Sequence, residues 1–258
     1  MTKIARYLGQ DGEILEGVVE GDELQEISGL DPMLQGGRRV GGKKKLAAVQ
    51  LLPWGLSRKI VAIGKNYLDH AKEMSSEAPK QPLIFMKPTS ALLGHGQAIV
   101  LPPESLAREV HHEAELAVVI GRRLRRASEA ECVKGIAGVT CLNDVTARDV
   151  QKADGQWTRA KGFDTFCPVG PWVSVGLDWS GLRIQARVNG QTRQDGRSSD
   201  QIFPLQKLLA FITAGMTLEP GDIVSTGTPA GVGPLRAGDT VEIEVEGVGV
   251  LRNEVRAE

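Results

Sequence analysis

A mostly-β fold with short peripheral helices and a small N-terminal domain is what this sequence of 258 residues predicts. Three observations predict it. Turn dipeptides sit between short apolar runs near both ends, an apolar/acidic alternation lies close to the C-terminus, and helix signals are few.

Asp11-Gly12 separates two short apolar runs, and Asn189-Gly190 follows Ile184-Gln185-Ala186-Arg187-Val188. Both are hairpin signals, because these residue pairs accept the positive φ of tight two-residue turns. Pro220-Gly221-Asp222 and Ala237-Gly238-Asp239 each lead into a strand-like segment. In the second, Thr240-Val241-Glu242-Ile243-Glu244-Val245, the alternation gives one buried and one wet face. Pro204 opens a helix with Leu205, Leu208, Leu209 and Ile212 on one side, stopped by Gly215. Ser128-Glu129-Ala130-Glu131 reads as a capping box at the start of another. The Gly/Lys-rich stretch from Gly36 to Lys45, followed by Pro53, places the expected domain boundary. The small N-terminal domain covers 1–57 and the main one 58–258.

Bulk properties exclude several classes. The formal net charge is −1, so no global field favours nucleic acid or an anionic membrane. The one basic run, Arg38-Arg39-Val40-Gly41-Gly42-Lys43-Lys44-Lys45, lacks aromatic neighbours and reads as a solvated loop. No apolar run approaches the roughly 18 residues of a membrane span, and MTKIARYLGQDGEI has no apolar signal region. Cys132, Cys141 and Cys167 form no CxxC pair, which fits reduced thiols in a cytoplasm, with Cys141 a core residue.

The segment Glu109-Val110-His111-His112-Glu113-Ala114-Glu115-Leu116-Ala117-Val118-Val119-Ile120-Gly121 carries the chemistry. From Leu116 onward it is apolar without interruption, as in a strand covered on both faces. Glu113 and Glu115 would share a face, with Cα atoms about 7 Å apart. Two like charges entering a buried strand are costly unless one is protonated or a cation lies between them. Asp144, at the end of the apolar run Val139-Thr140-Cys141-Leu142-Asn143, is a third candidate. An all-oxygen set suits Mg²⁺ or Mn²⁺, with Ca²⁺ a further option. His111 on the same strand face would keep zinc open, and the wet end of an ordinary strand would explain the glutamates without any metal.

His70 and Glu73, three apart in a short helical reading of Gly64 to Met74 that Asn66 could cap, face one side. Such a pair can orient an imidazole to take a proton from water, although an exposed ion pair has the same spacing. Lys161, in a stretch read as a loop, is by its type a solvated lysine. Gly227 to Gly233 is glycine-rich but lacks GxxxxGK[ST], which excludes a P-loop.

His112-Glu113-Ala114-Glu115-Leu116-Ala117-Val118-Val119-Ile120-Gly121 resembles the metal-binding strand of the fumarylacetoacetate hydrolase family. Asn143-Asp144-Val145-Thr146-Ala147-Arg148-Asp149-Val150-Gln151 resembles the segment that supplies its third carboxylate. Ile84-Phe85-Met86-Lys87-Pro88, Trp157-Thr158-Arg159-Ala160-Lys161-Gly162-Phe163-Asp164 and Thr226-Gly227-Thr228-Pro229-Ala230-Gly231-Val232-Gly233 match further motifs in the family's order. The resemblance spans residues 58 to 255.

It implies a mixed β-roll, with Glu113, Glu115 and Asp144 holding Mg²⁺ or Mn²⁺ and His70 with Glu73 activating water on a lid. Lys161 would balance the substrate's charge, and Gln151, Thr228, Lys87 and Arg148 would contact substrate or brace the metal site. Fumarylacetoacetases proper add a fourth carboxylate before the catalytic histidine, where this chain has Val61-Ala62-Ile63-Gly64. The acylpyruvate hydrolase and oxaloacetate decarboxylase branch is therefore the nearer resemblance. It implies cleavage or decarboxylation of small 2-oxo acids through a metal-bound pyruvate enolate, in a cytoplasmic homodimer. Isomerisation or decarboxylation of hydroxymuconate-type dioates is the alternative within the family. A non-catalytic metal- or carboxylate-binding β-domain is the alternative from another class, and the His70/Glu73 pair argues against it because a binder needs no base.

Overall fold

The computed structural model describes residues 1–54 and 58–258. The boundary expected after residue 57 falls in the segment 55–57, outside the described residues.

Among the described residues the architecture is mostly β, with sheets stacked around a shared core and five short α-helices. The strands Arg38–Lys45, Glu23–Ser28, Ile14–Glu20 and Thr2–Leu8 form an antiparallel meander. Thr2–Leu8 then pairs with Cys167–Val175, so hydrogen bonding continues into the main sheet. The order there is Cys167–Val175, Ile136–Asn143, Ala114–Ile120, Ile223–Ser225, Ile60–Gly64 and Leu83–Lys87. A second sheet contains Gln191–Arg197, Arg183–Val188, Thr240–Val245, Gly249–Ala257 and Ala98–Leu101. The expected hairpins at Asp11-Gly12 and Asn189-Gly190 join paired strands, and Gly12, Asn189 and Gly190 have positive φ.

The Ala114–Ile120 strand is buried along its whole length, between neighbours on both edges and packing on both faces. Leu116 and Val118 join the core that includes Ile184, Ile243 and Leu251 of the second sheet. Ala117 and Val119 face Ile4, Ile60 and Trp54 on the other side. Each buried branched side chain of this kind contributes roughly 1.5–3 kcal/mol, so the strand is a fixed reference for whatever it carries. α5 (Leu205–Gly215) buries Leu205, Leu208, Leu209 and Ile212, as its spacing predicts. α2 (Glu129–Lys134) has the Ser128/Glu131 capping box in full.

Two expectations give way. The basic run is a strand rather than a loop, because acids on the neighbouring strands and turn neutralise it. Arg39 and Lys43 pair with Glu20, Lys45 with Asp22 and Lys44 with Glu26. Asn66 does not cap α1 (Leu68–Glu73), whose N-cap is Tyr67. The buried Asn66 amide is used across the fold instead, donating to the carbonyls of Phe203 and Thr226 and accepting from the Phe203 amide.

One close approach matters for the site. A Cβ on Gly64 would lie 2.3 Å from Cζ3 of Trp157, the first residue of α4 (Trp157–Lys161). Only glycine lets this ring lie against the strand. Gly64→Ala should lower stability by about 1–3 kcal/mol through overpacking. A urea melt followed by tryptophan fluorescence measures it, and an unchanged midpoint would show that α4 is free to move.

Candidate active site

Antiparallel pairing assembles the acidic cluster. Ala114 lies opposite Asn143 and Glu115 opposite Leu142, so Asp144 emerges beside Glu113. The Asp144 amide donates to the Glu113 carbonyl at 2.9 Å, and Asn143 Oδ1 accepts from the Glu113 amide at 3.0 Å. One oxygen from each of Glu113, Glu115 and Asp144 lies within 4.8 Å of the others, and all three residues are buried.

Three buried cations face these carboxylates. Lys161 Nζ donates to Glu113 Oε2 at 3.0 Å, Asp144 Oδ2 at 2.6 Å and Thr146 Oγ1 at 2.8 Å. Lys87 Nζ donates to Asp144 Oδ1 at 2.5 Å, and Arg148 Nη2 lies 2.5 Å from Glu113 Oε1. Formally the six charges cancel, but their pairing is uneven. Among the described residues no cationic side chain pairs with Glu115. It accepts from the Ser225 hydroxyl at 2.5 Å and the Gly227 amide at 2.8 Å.

The electrostatics follow from this asymmetry. Burial, then the charges of Asp144 and Glu113, push the Glu115 carboxyl well above the usual carboxylate range. Burial acts in the same direction on Glu113, but Lys161 and Arg148 outweigh it and hold that group below its ordinary value. For Lys161, burial opposes the charge while Asp144 and Glu113 more than restore it, leaving its pKa raised. A buried oxygen-only set with one carboxylate short of a positive neighbour fits a hard divalent cation. Glu113, Glu115 and Asp144 would hold it.

His70, Glu113, Glu115, Asp144, Lys161 and Thr228 line one cavity of about 160 Å³, joined at its wall by Arg148 and Gln151. Glu73 stands behind His70, with Oε2 at 3.2 Å from Nδ1, and accepts from the Gly231 amide at 3.1 Å. With Nδ1 turned to Glu73, Nε2 is the ring nitrogen left for the cavity. On α3 (Arg148–Asp154), Gln151 accepts from Arg148 Nη1 at 3.0 Å. Lys87 is behind Asp144 and does not line the cavity. Lys161 is the last residue of α4, not of a loop, and lies about 5.0 Å from the Phe85 ring centroid.

His111 is elsewhere. The strand breaks at Glu113, between Val110–His112 and Ala114–Ile120, so side-chain alternation does not carry across. His111 Nε2 pairs with Glu109 at 3.1 Å, and the cluster has no nitrogen ligand among the described residues.

Sequence reasoning missed Ser225 and Thr146, which hold Glu115 and Lys161, and the apolar wall of Phe85 and Trp157. It also missed the buried Gln194. The Gly64-to-Trp157 approach has no sequence signal, whereas Ser225 immediately precedes a motif already singled out.

The family described as fumarylacetoacetate (FAA) hydrolase C-terminal matches residues 59–256. The chain is 43% identical over 211 residues to oxaloacetate tautomerase YisK of Bacillus subtilis (strain 168), covering 77% of this chain and 70% of that protein. It is 38% identical over 276 residues to 2,4-didehydro-3-deoxy-L-rhamnonate hydrolase of Sphingomonas sp. (strain SKA58), covering 98% and 95%. Its structure resembles the crystal structure of 5-carboxymethyl-2-hydroxymuconate delta-isomerase from Mycobacterium smegmatis, with a TM-score of 0.90, 43% identity and coverage of 99% and 100%. No helix among the described residues is long and apolar enough to cross a membrane.

A raised carboxyl pKa has a definite sign. The folded protein holds a proton on Glu115 that the unfolded chain releases near the ordinary value of 4.5. The metal-free protein should therefore lose stability as pH rises above that value toward the folded pKa. Glu115→Gln should flatten this slope, leaving the metal-free variant more stable than wild type near neutrality, while weakening Mn²⁺ binding sharply. Thermal melts in EDTA across pH, with Mn²⁺ calorimetry, check both. Parallel slopes for the two proteins would contradict the assignment.

Proposed function

The chain belongs to the fumarylacetoacetate hydrolase family, and on that premise we propose that it is a divalent-cation-dependent enzyme that hydrolyses acylpyruvates and decarboxylates oxaloacetate. The observation that carries the reading is the placement of the Glu73-backed His70 in one small cavity with three buried carboxylates.

Glu113, Glu115 and Asp144 would hold Mg²⁺ or Mn²⁺, which when bound supplies Lewis-acid polarisation of a 2-oxo group. Lys161 meets the negative charge that develops on the substrate, since its ammonium is buried, charged and lines the same cavity. His70 takes a proton through Nε2 while Glu73 steadies the ring, and the Gly231 amide holds the Glu73 carboxylate in turn. In hydrolysis of a 2,4-dioxo acid that proton comes from the water that attacks the distal carbonyl. Decarboxylation needs no attacking water. The homodimer and the cytoplasmic setting remain part of the proposal.

Cavity size argues for short substrates. A cavity of about 160 Å³ is close to one that holds a six-carbon ring, on the order of 150 Å³. Oxaloacetate and short acylpyruvates suit it better than a long branched dioate. Tautomerisation of oxaloacetate is the second reading. The 43% identity to a protein named for that reaction favours it, and His70 would then move a proton at carbon instead of water.

Treatment with EDTA should abolish turnover of acylpyruvates, and Mn²⁺ or Mg²⁺ should restore it. His70→Ala should reduce acylpyruvate hydrolysis by roughly 10²- to 10⁴-fold, the usual cost of losing a general base, and oxaloacetate decarboxylation far less. Lys161→Ala should impair both. Paired kinetics at saturating Mn²⁺ decide. Equal losses in the His70 variant would remove water activation from the mechanism, and a preference for fumarylacetoacetate would overturn the substrate class.

A further inference from the structure

Gln194 belongs to the second sheet, on a strand whose other residues are mostly exposed, yet it is itself fully buried. A register shift explains this. Ala186 faces Gln194 and Arg187 faces Thr192, so Arg193 is an extra residue in the Gln191–Arg197 strand. A bulge of this kind re-aims the side chain beside it, and here the neighbouring Gln194 reaches into the active-site wall.

The amide makes four hydrogen bonds. Oε1 accepts from the Ala114 amide at 2.9 Å and from His112 Nδ1 at 3.1 Å. Nε2 donates to Thr228 Oγ1 and to the Pro229 carbonyl, each at 2.7 Å. Its orientation is determined, because a flipped amide would set NH₂ against the Ala114 N–H and a carbonyl against the Pro229 oxygen. The Thr228 hydroxyl is fixed in turn. Its oxygen accepts from Gln194, so its one proton goes to the Ala114 carbonyl at 2.8 Å. Toward the cavity Thr228 Oγ1 therefore offers only a lone pair.

The same strand seats the rest of the turn. A Cβ on Gly231 would lie 2.1 Å from the Arg193 carbonyl oxygen, and one on Gly196 would lie 2.6 Å from Pro229 Cβ. Gly231 is also the residue whose amide holds Glu73 of α1. We propose that Gln194 is a positioning residue that sets the Thr228–Gly231 turn, fixes Thr228 as an acceptor toward the ligand, and through Gly231 holds α1 closed over the cavity. This rests on reading that cavity as the reaction site.

The test combines kinetics with amide hydrogen exchange in protein saturated with Mn²⁺ and oxalate. Gln194→Met should lower kcat/KM for oxaloacetate by about ten- to a hundred-fold, the scale of a misplacement near 1 Å. The loss should largely disappear when Thr228 is already valine, because the two residues act as one unit. Exchange at residues 68–76 should quicken, while the Thr2–Leu8 strand keeps its wild-type protection. If Gln194→Met does not fold, Gln194→Asn, whose side chain is one methylene shorter and withdraws the amide from these partners, should show the same changes. Additive losses in the double variant, or unchanged exchange over residues 68–76, would overturn the proposal. Should the wild type turn over no 2-oxo acid, the functional reading fails, and the exchange data still decide whether Gln194 holds α1.

Discussion

Three carboxylates brought within a few ångströms of one another in a dry interior repel, and much around them answers that repulsion. The Ala114–Ile120 strand cannot slide, because a slip of one residue would turn Glu115 to the opposite face and bury it against hydrocarbon. Its edges are held by Ile136–Asn143 and Ile223–Ser225, which also deliver Asp144 and Ser225. The counter-charges come from other segments: Lys87 at the end of an edge strand, and Arg148 and Lys161 from two short helices. The strands thus set the negative half of the site and the peripheral elements the positive half.

A single turn links that cluster to the His70/Glu73 pair. Gly227 gives Glu115 an amide, Thr228 reaches the Ala114 carbonyl, and Gly231 holds Glu73. A Cβ on Gly227, whose φ is +97°, would approach Asn66 Cβ to 2.7 Å. Asn66 in turn is bonded to the Thr226 carbonyl. The turn therefore touches the acidic cluster, the cavity wall and α1 within a few residues. A displacement in it would be felt at all three.

Local rules made part of this legible in the sequence. Hairpins at Asp11-Gly12 and Asn189-Gly190 follow from turn chemistry, and α5 from the spacing of its leucines. Glu113 and Glu115 stand out because two like charges entering a buried strand are costly unless something compensates them. The rest depends on long-range partners. The basic run becomes a strand only because Glu20, Asp22 and Glu26 lie across from it. Lys161 is buried only because Glu113 and Asp144 await it. His111 was misplaced because periodicity cannot see a break in a strand. Gln194 has no signal at all, since its neighbours are polar and its burial comes from one extra residue, Arg193, beside it in the ladder.

Lys161 already bridges Glu113 and Asp144, and Lys87 and Arg148 complete an internal salt. Glu113 and Asp144 thus have their counter-charges within the polypeptide, whereas Glu115 has none paired to it among the described residues. Small metallo-domains whose ligands only repel one another stay unfolded until the ion arrives. Here two of the three acids already have cationic partners inside the fold, an arrangement unlike that one. A cation held by the three acids would have to compete with Lys161 for Glu113 and Asp144.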